Sequence, residues 1–137
     1  MRHLVIIISL LLSSNAFGGT SADWSTLQYL KQDDWSMWAP IVKKAPVYPK
    51  KLFDKGIEGC VNIYFNIRPN GKPGTARVLQ SIPEGAFDKY ALKALSSFRY
   101  RASETNSEKA PIITNAVFTF TKEKDEKGMA AWAEKCK

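Results

Sequence analysis

Nine residues, Gly59–Ile67, alternate without a break: Val61, Ile63, Phe65 and Ile67 point one way, and Cys60, Asn62, Tyr64 and Asn66 the other. Side chains of an extended chain change face at every residue, so this run is a strand with one side against a core. Its continuation is constrained as well. Pro69-Asn70-Gly71-Lys72 carries residues suited to a tight turn, and residues 75–81 resume the extended pattern, which predicts a β-hairpin. Pro83 ends the second strand. In residues 86–100, Phe87, Tyr90, Ala91, Ala94, Leu95 and Phe98 fall at i, i+3, i+4, i+7, i+8 and i+11, the stripe of an amphipathic helix. A polar loop then leads to a third strand over 111–121, with Ala116, Phe118 and Phe120 on one face.

Shorter elements flank this unit. Pro49 suits the first position of a helix over 50–55, and Gly56 the left-handed residue that closes it. Residues 127–137 read as a last helix with Trp132 and Cys136 one turn apart. Trp24, Leu27 and Leu30 are spaced for a helix beginning near Ser21 or Asp23, inside an aromatic-rich leader over 17–45 that folds back on the domain. The expected fold is α+β: a three-stranded antiparallel sheet with two helices on one face, in the order αββαβ, plus a C-terminal helix. The domain itself is expected over 46–122 and a helical extension over 123–137.

Residues 1–16 have the layout of a cleaved secretory signal, with Arg2 before an apolar run over 4–12 and Ser14-Asn15-Ala16 at the cleavage position. A bilayer span needs about 20 apolar residues, more than this run supplies. The expectation is therefore a periplasmic protein beginning at Phe17; the alternative is an uncleaved anchor in the inner membrane, with the domain on the periplasmic side. Loss of Arg2 lowers the formal charge from +7 to +6, a surplus scattered along the chain rather than gathered into a nucleic-acid-binding stripe.

Catalytic groups are scarce. His3, inside the signal, is the one histidine, so the mature chain has no histidine for a nucleophile's base or for a zinc site. No phosphate-binding glycine loop follows a strand. Glu58 opens a strand, and Glu84 and Asp88 lie near a helix N-terminus, where negative charge is favoured without any catalytic role. A protein without enzymatic activity, small-molecule substrate, cofactor or metal is expected.

The conjunction of Tyr48-Pro49, Gly56-Ile57-Glu58-Gly59, Pro69-Asn70-Gly71, Ser81-Ile82-Pro83, Phe87-Asp88 and Phe98-Arg99-Tyr100 resembles the TonB C-terminal domain family from Tyr48 to about Thr121. The resemblance implies a module that binds extended N-terminal segments of outer-membrane TonB-dependent transporters, and so is linked to transmembrane transport of siderophores or other nutrients. The segment would add as a strand to the edge formed by the third strand, whose matching positions are Ile113, Asn115, Val117 and Thr119, and Tyr48 and Pro49 would stand where it enters. Full-length family members add a transmembrane helix and a proline-rich spacer; this sequence shows neither, so binding is expected without force transmission. The apolar entry Lys43-Lys44-Ala45-Pro46-Val47, and Ala102 where the family commonly has proline, point to altered specificity. An envelope assembly component of TolA-like type, an anchored transducer, and homodimerisation by strand exchange remain alternatives.

Cys60 and Cys136, an even pair in an exported protein, suit a disulfide. Alternation puts Cys60 and Tyr64 on the face away from the helix-covered core, and a turn at Asn70-Gly71 would bring Leu79 beside them. A final helix crossing that face, its Trp132 on the apolar patch and its Cys136 bonded to Cys60, is the expected arrangement; free thiols or a bridge between two chains are the alternatives.

Overall fold

The computed structural model describes residues 23–123 and 125–137. The signal and the Phe17 start lie outside them. In chain order the elements are β1 (Gln28–Tyr29), β2 (Trp38–Val42), α1 (Lys50–Asp54), β3 (Gly59–Ile67), β4 (Pro73–Ile82), α2 (Asp88–Ser96), β5 (Arg99–Ala102), a 3-10 turn (Glu104–Asn106), β6 (Ile112–Phe120) and α3 (Glu126–Lys135).

The fold is α+β, and β3 lies at its centre as the alternation requires. It pairs antiparallel with β4 on one side and with β6 on the other. One face of β3 and β6 is apolar and closed: Val61, Ile63, Phe65, Ile112, Phe118 and Phe120 are buried there. α2 covers this face with Ala91, Ala94 and Leu95, and Phe87 stacks on Phe120 at 4.2 Å between ring centroids. α1 is too short to hold itself together, and Leu52 packs it against the same core. Gly56 follows it at φ 68°, the left-handed position expected of it.

The strand count differs from expectation. The main sheet has four strands in the order β1-β6-β3-β4, with β1 parallel to β6, and β2 and β5 form a second, two-stranded sheet. β1 and β2 come from the leader, and β5 from the end of the stretch read as the second helix. Where helical spacing predicted a helix from Asp23, the chain makes one turn, Leu27 N–H to Trp24 O at 3.1 Å, and then runs extended. The Asp23 carboxylate accepts from Ser25 N–H rather than capping a helix. Tertiary contacts override the local signal: Leu30 goes into the core, Tyr29 packs on Tyr64 across the opposite face, and the Arg77 guanidinium lies 4.1 Å over the Trp24 ring. The helix expected over 86–100 is likewise shorter, because Arg99–Ala102 is drawn into pairing with β2.

α3 lies over the β3–β6 part of the second face of the sheet, clasped to β3 by a Cys60–Cys136 disulfide with Cα atoms 6.0 Å apart, within the usual span of such bonds. Leu79 is not under the helix. The β3–β4 register shifts between Asn62 and Ile63, skipping Leu79, which bulges out 56% exposed. Trp132 stands instead beside the Glu58 carboxylate. Among the described residues no helix is long and apolar enough to cross a membrane.

Candidate functional site: the outer edge of β6

β6 has one neighbour along its whole length, β3, and only a short one, β1, on its outer side. The direction of each residue's backbone groups follows from two bonds. Leu30 N–H donates to Ile113 O at 2.9 Å, and Val117 N–H donates to the Gln32 Oε1 at 2.8 Å. Both β6 partners are odd-numbered, so the peptide groups of Ile113, Asn115, Val117 and Thr119 face outward while those of Thr114, Ala116 and Phe118 face β3. The four positions singled out from sequence therefore share one edge. Their side chains turn toward the α3 side of the sheet, away from the buried core.

The edge divides into two parts. Near Ile113 it is occupied by the leader, whose ladder ends at Leu30. Beyond that point the Asn115 side chain takes over: its Oδ1 accepts from Gln32 N–H and from the Tyr29 hydroxyl, each at 3.0 Å, and its Nδ2 donates to Asn62 Oδ1 at 3.1 Å. That last bond satisfies Asn62, a buried polar side chain on the face under α3. Partial burial against the sheet, with the neighbouring Tyr64 hydroxyl, pushes the Tyr29 phenol up to about 12.

Past the Val117 N–H, which the Gln32 carboxamide holds, the edge is open as far as Thr121. A cleft runs along it between the segment Lys43-Lys44-Ala45-Pro46 and the exposed Met129 of α3, and reaches Tyr48 at its far end. Among the described residues nothing bonds the outward N–H and C=O of Thr119. An apolar floor with free main-chain groups and two lysines at its mouth can receive an extended polypeptide without demanding one particular sequence.

Tyr48 and Pro49 stand at this end with clear structural duties. The Tyr48 hydroxyl donates to Ile57 O, and its ring meets Phe53, Phe87 and Phe120 edge-on at 5.2, 5.7 and 5.8 Å. Pro49 is buried as the residue preceding α1 and does not line the cleft. Sequence reading missed Gln32, Asn62 and Met129. A glutamine in a leader carries no signal of its own until the fold places it beside β6.

Glu58 closes the same end. Its Oε1 accepts from Lys122 N–H at 2.7 Å and from the Thr121 hydroxyl at 3.2 Å, fixing the chain where it leaves β6. The backbone bond from Lys122 holds the carboxyl below its ordinary value of 4.5. A lowered folded value means that the contribution is complete above about pH 4.5 and is lost as pH falls through the folded value. Glu58→Gln should therefore cost stability at pH 7 and narrow the gap to wild type at pH 3, read by thermal melts at both; an equal gap at the two pH values would dissociate Glu58 from the acid sensitivity.

The sequence matches the family described as Gram-negative bacterial TonB protein C-terminal over residues 44–121. It is 29% identical over 85 residues to the protein TonB of Pseudomonas aeruginosa, covering 62% of this chain and 25% of that one. It is 28% identical over 60 residues to the protein TonB of Yersinia enterocolitica, covering 44% and 24%. The chain thus spans about a quarter of the length of these curated relatives. The fold resembles the solution NMR structure of the Pseudomonas aeruginosa TonB CTD with a TM-score of 0.58 and 27% identity, over 71% of this chain and 97% of that one. With more than half of its residues matched, from just after β2 to the end of β6, the chain belongs to the TonB C-terminal family.

Proposed function

We propose that this protein is a periplasmic binding module, not an enzyme, that takes up extended N-terminal segments of outer-membrane TonB-dependent transporters by strand addition to β6, and through them takes part in nutrient transport. The observation that carries the reading is the stretch beyond the Val117 N–H, where the main-chain groups of Thr119, unpartnered among the described residues, line an open cleft between Pro46 and Met129. Membership of the TonB C-terminal family supports the choice of partner. Lys43 and Lys44 at the mouth favour a segment carrying acidic residues.

Proline scanning tests it. Thr119→Pro removes an outward donor that has no partner among the described residues, so binding of a synthetic transporter N-terminal peptide should weaken about tenfold, the loss of about 1.4 kcal/mol, with the melting temperature nearly unchanged. Phe118→Pro removes a donor facing β3 and buries a strained ring in the core, and should unfold the domain. Unchanged peptide affinity in folded Thr119→Pro, measured by fluorescence anisotropy, would rule out pairing at this edge.

A further inference from the structure

The leader makes the bonds that a partner strand would make. Gln28 and Tyr29 lie in register with Ile112 and Ile113, and Leu30 N–H continues the ladder to Ile113 O. At that point the chain turns away: Asp34 N–H bonds Lys31 O, and Asp33 adopts φ 69°. The bonding to β6 nevertheless goes on for two more outward positions. Gln32 supplies its own N–H to the Asn115 side chain and its carboxamide oxygen to Val117 N–H. A glutamine carboxamide has the atoms of a peptide group, so Gln32 stands in for the carbonyl that the next residue of a bound strand would offer. Leu30, 8% exposed, fills the adjoining core position.

We propose that residues 28–32 are an internal surrogate strand that holds the Ile113–Val117 part of the edge, so that a partner strand pairs along the full edge only by displacing them. This rests on the strand-addition reading and adds its regulation. A displaced leader would not take the domain apart. Trp38 is buried, its indole N–H bonds Ala110 O at 2.9 Å, Ser36 O and Met37 O accept from Ser103, Thr105 and Asn106, and β2 stays paired with β5, so the released segment swings about residues 33–35. The surrogate also sets the partner's chemistry: an aliphatic side chain at the Leu30 position, a hydrogen-bond donor reaching Asn115 Oδ1, and a main-chain carbonyl opposite Val117.

The apparent dissociation constant of a ligand rises as the fraction of binding-competent protein falls, so loosening the surrogate should tighten binding. The probe is a synthetic transporter N-terminal peptide, titrated against wild type, Leu30→Ala/Gln32→Ala, and Gln32→Glu, which keeps an acceptor for Val117 N–H. The double variant should bind at least tenfold tighter and Gln32→Glu should match wild type. In wild type, saturating peptide should speed hydrogen exchange at Leu30 while slowing it at Thr119. Equal affinities for wild type and a double variant whose melt remains cooperative would overturn the surrogate and leave strand addition standing. Binding to none of the three proteins would sink the strand-addition reading and the surrogate with it.

Discussion

Adding a single methyl group at Gly59 should lower the melting temperature by roughly 10 °C or more, the loss expected when about 2–3 kcal/mol is removed from a domain of this size. Gly59 opens the central strand where the chain passes beneath the end of β4 and the ring of Phe87. A Cβ built there lies 1.9 Å from Ile82 O and 2.8 Å from the Phe87 ring. The first neighbour is backbone, held in the β3–β4 ladder by the Cys60–Ile82 pairing, and cannot rotate aside. The ring is stacked on Phe120 and edge-on to Tyr48, so yielding there would open the aromatic cluster that closes the end of the core. Gly59→Ala should therefore separate β4 from β3 locally, or push Phe87 out. A thermal melt within 2 °C of wild type would show that the sheet has slack that these distances deny.

Breaking the disulfide should have an effect of comparable size but of a different kind. α3 has ten residues and none of them is buried, whereas isolated helices shorter than about 12–15 residues are marginal in water. Its N-terminus is capped by the Asp125 carboxylate accepting from Gly128 N–H at 2.7 Å, which fixes the first turn but not its place on the sheet. What fixes the place is Cys136, buried and bonded to Cys60 across a sequence separation of 76. Cross-links closing loops of that length typically contribute about 2–5 kcal/mol. Cys60→Ser/Cys136→Ser should lose that much in denaturant melts, and hydrogen exchange across α3 should rise to that of an unfolded peptide, while β3 and α2 keep their protection. Because Met129 forms one wall of the cleft, peptide affinity should fall as well. An α3 that stays protected without the bond would mean that packing alone holds the helix.

The parts of the fold legible in the sequence are those whose signal is local. β3 announces itself by nine alternating residues, and the β3–β4 turn by Asn70 and Gly71, where Gly71 N–H bonds Arg68 O at 2.8 Å and the Asn70 side chain accepts from Lys72 N–H. The parts that were not legible depend on partners far along the chain. β1 is two residues long, too short for any period, and its Trp24, Leu27, Leu30 spacing fits a helix as long as β6 is ignored. Arg99 and Tyr100 end a stretch that reads as helix, Arg101 and Ala102 open one that reads as loop, and the four become a strand because β2 is waiting beside them. Leu79 was misplaced because a bulge is a property of two strands in register, which neither strand shows alone. The candidate site divides the same way. The odd positions of β6 were implied by the family resemblance, but their partial occupation by Gln32 could not be, since that contact spans 85 residues.

The central claim is that the outer edge of β6 accepts a strand, and backbone amide NMR on the uniformly labelled protein addresses it residue by residue. Titration with a synthetic transporter N-terminal peptide should shift the Val117 and Thr119 amides and slow exchange at Thr119, because the Thr119 N–H faces the cleft without a partner among the described residues and the Val117 N–H changes its Gln32 acceptor for the incoming strand, while those of Ala116 and Phe118, already bonded to β3, keep the protection they have. Shifts confined to the other sheet edge, around Val78 and Gln80 on β4, or to the covered face at Asn62, with Val117 and Thr119 unmoved at saturation, would contradict it.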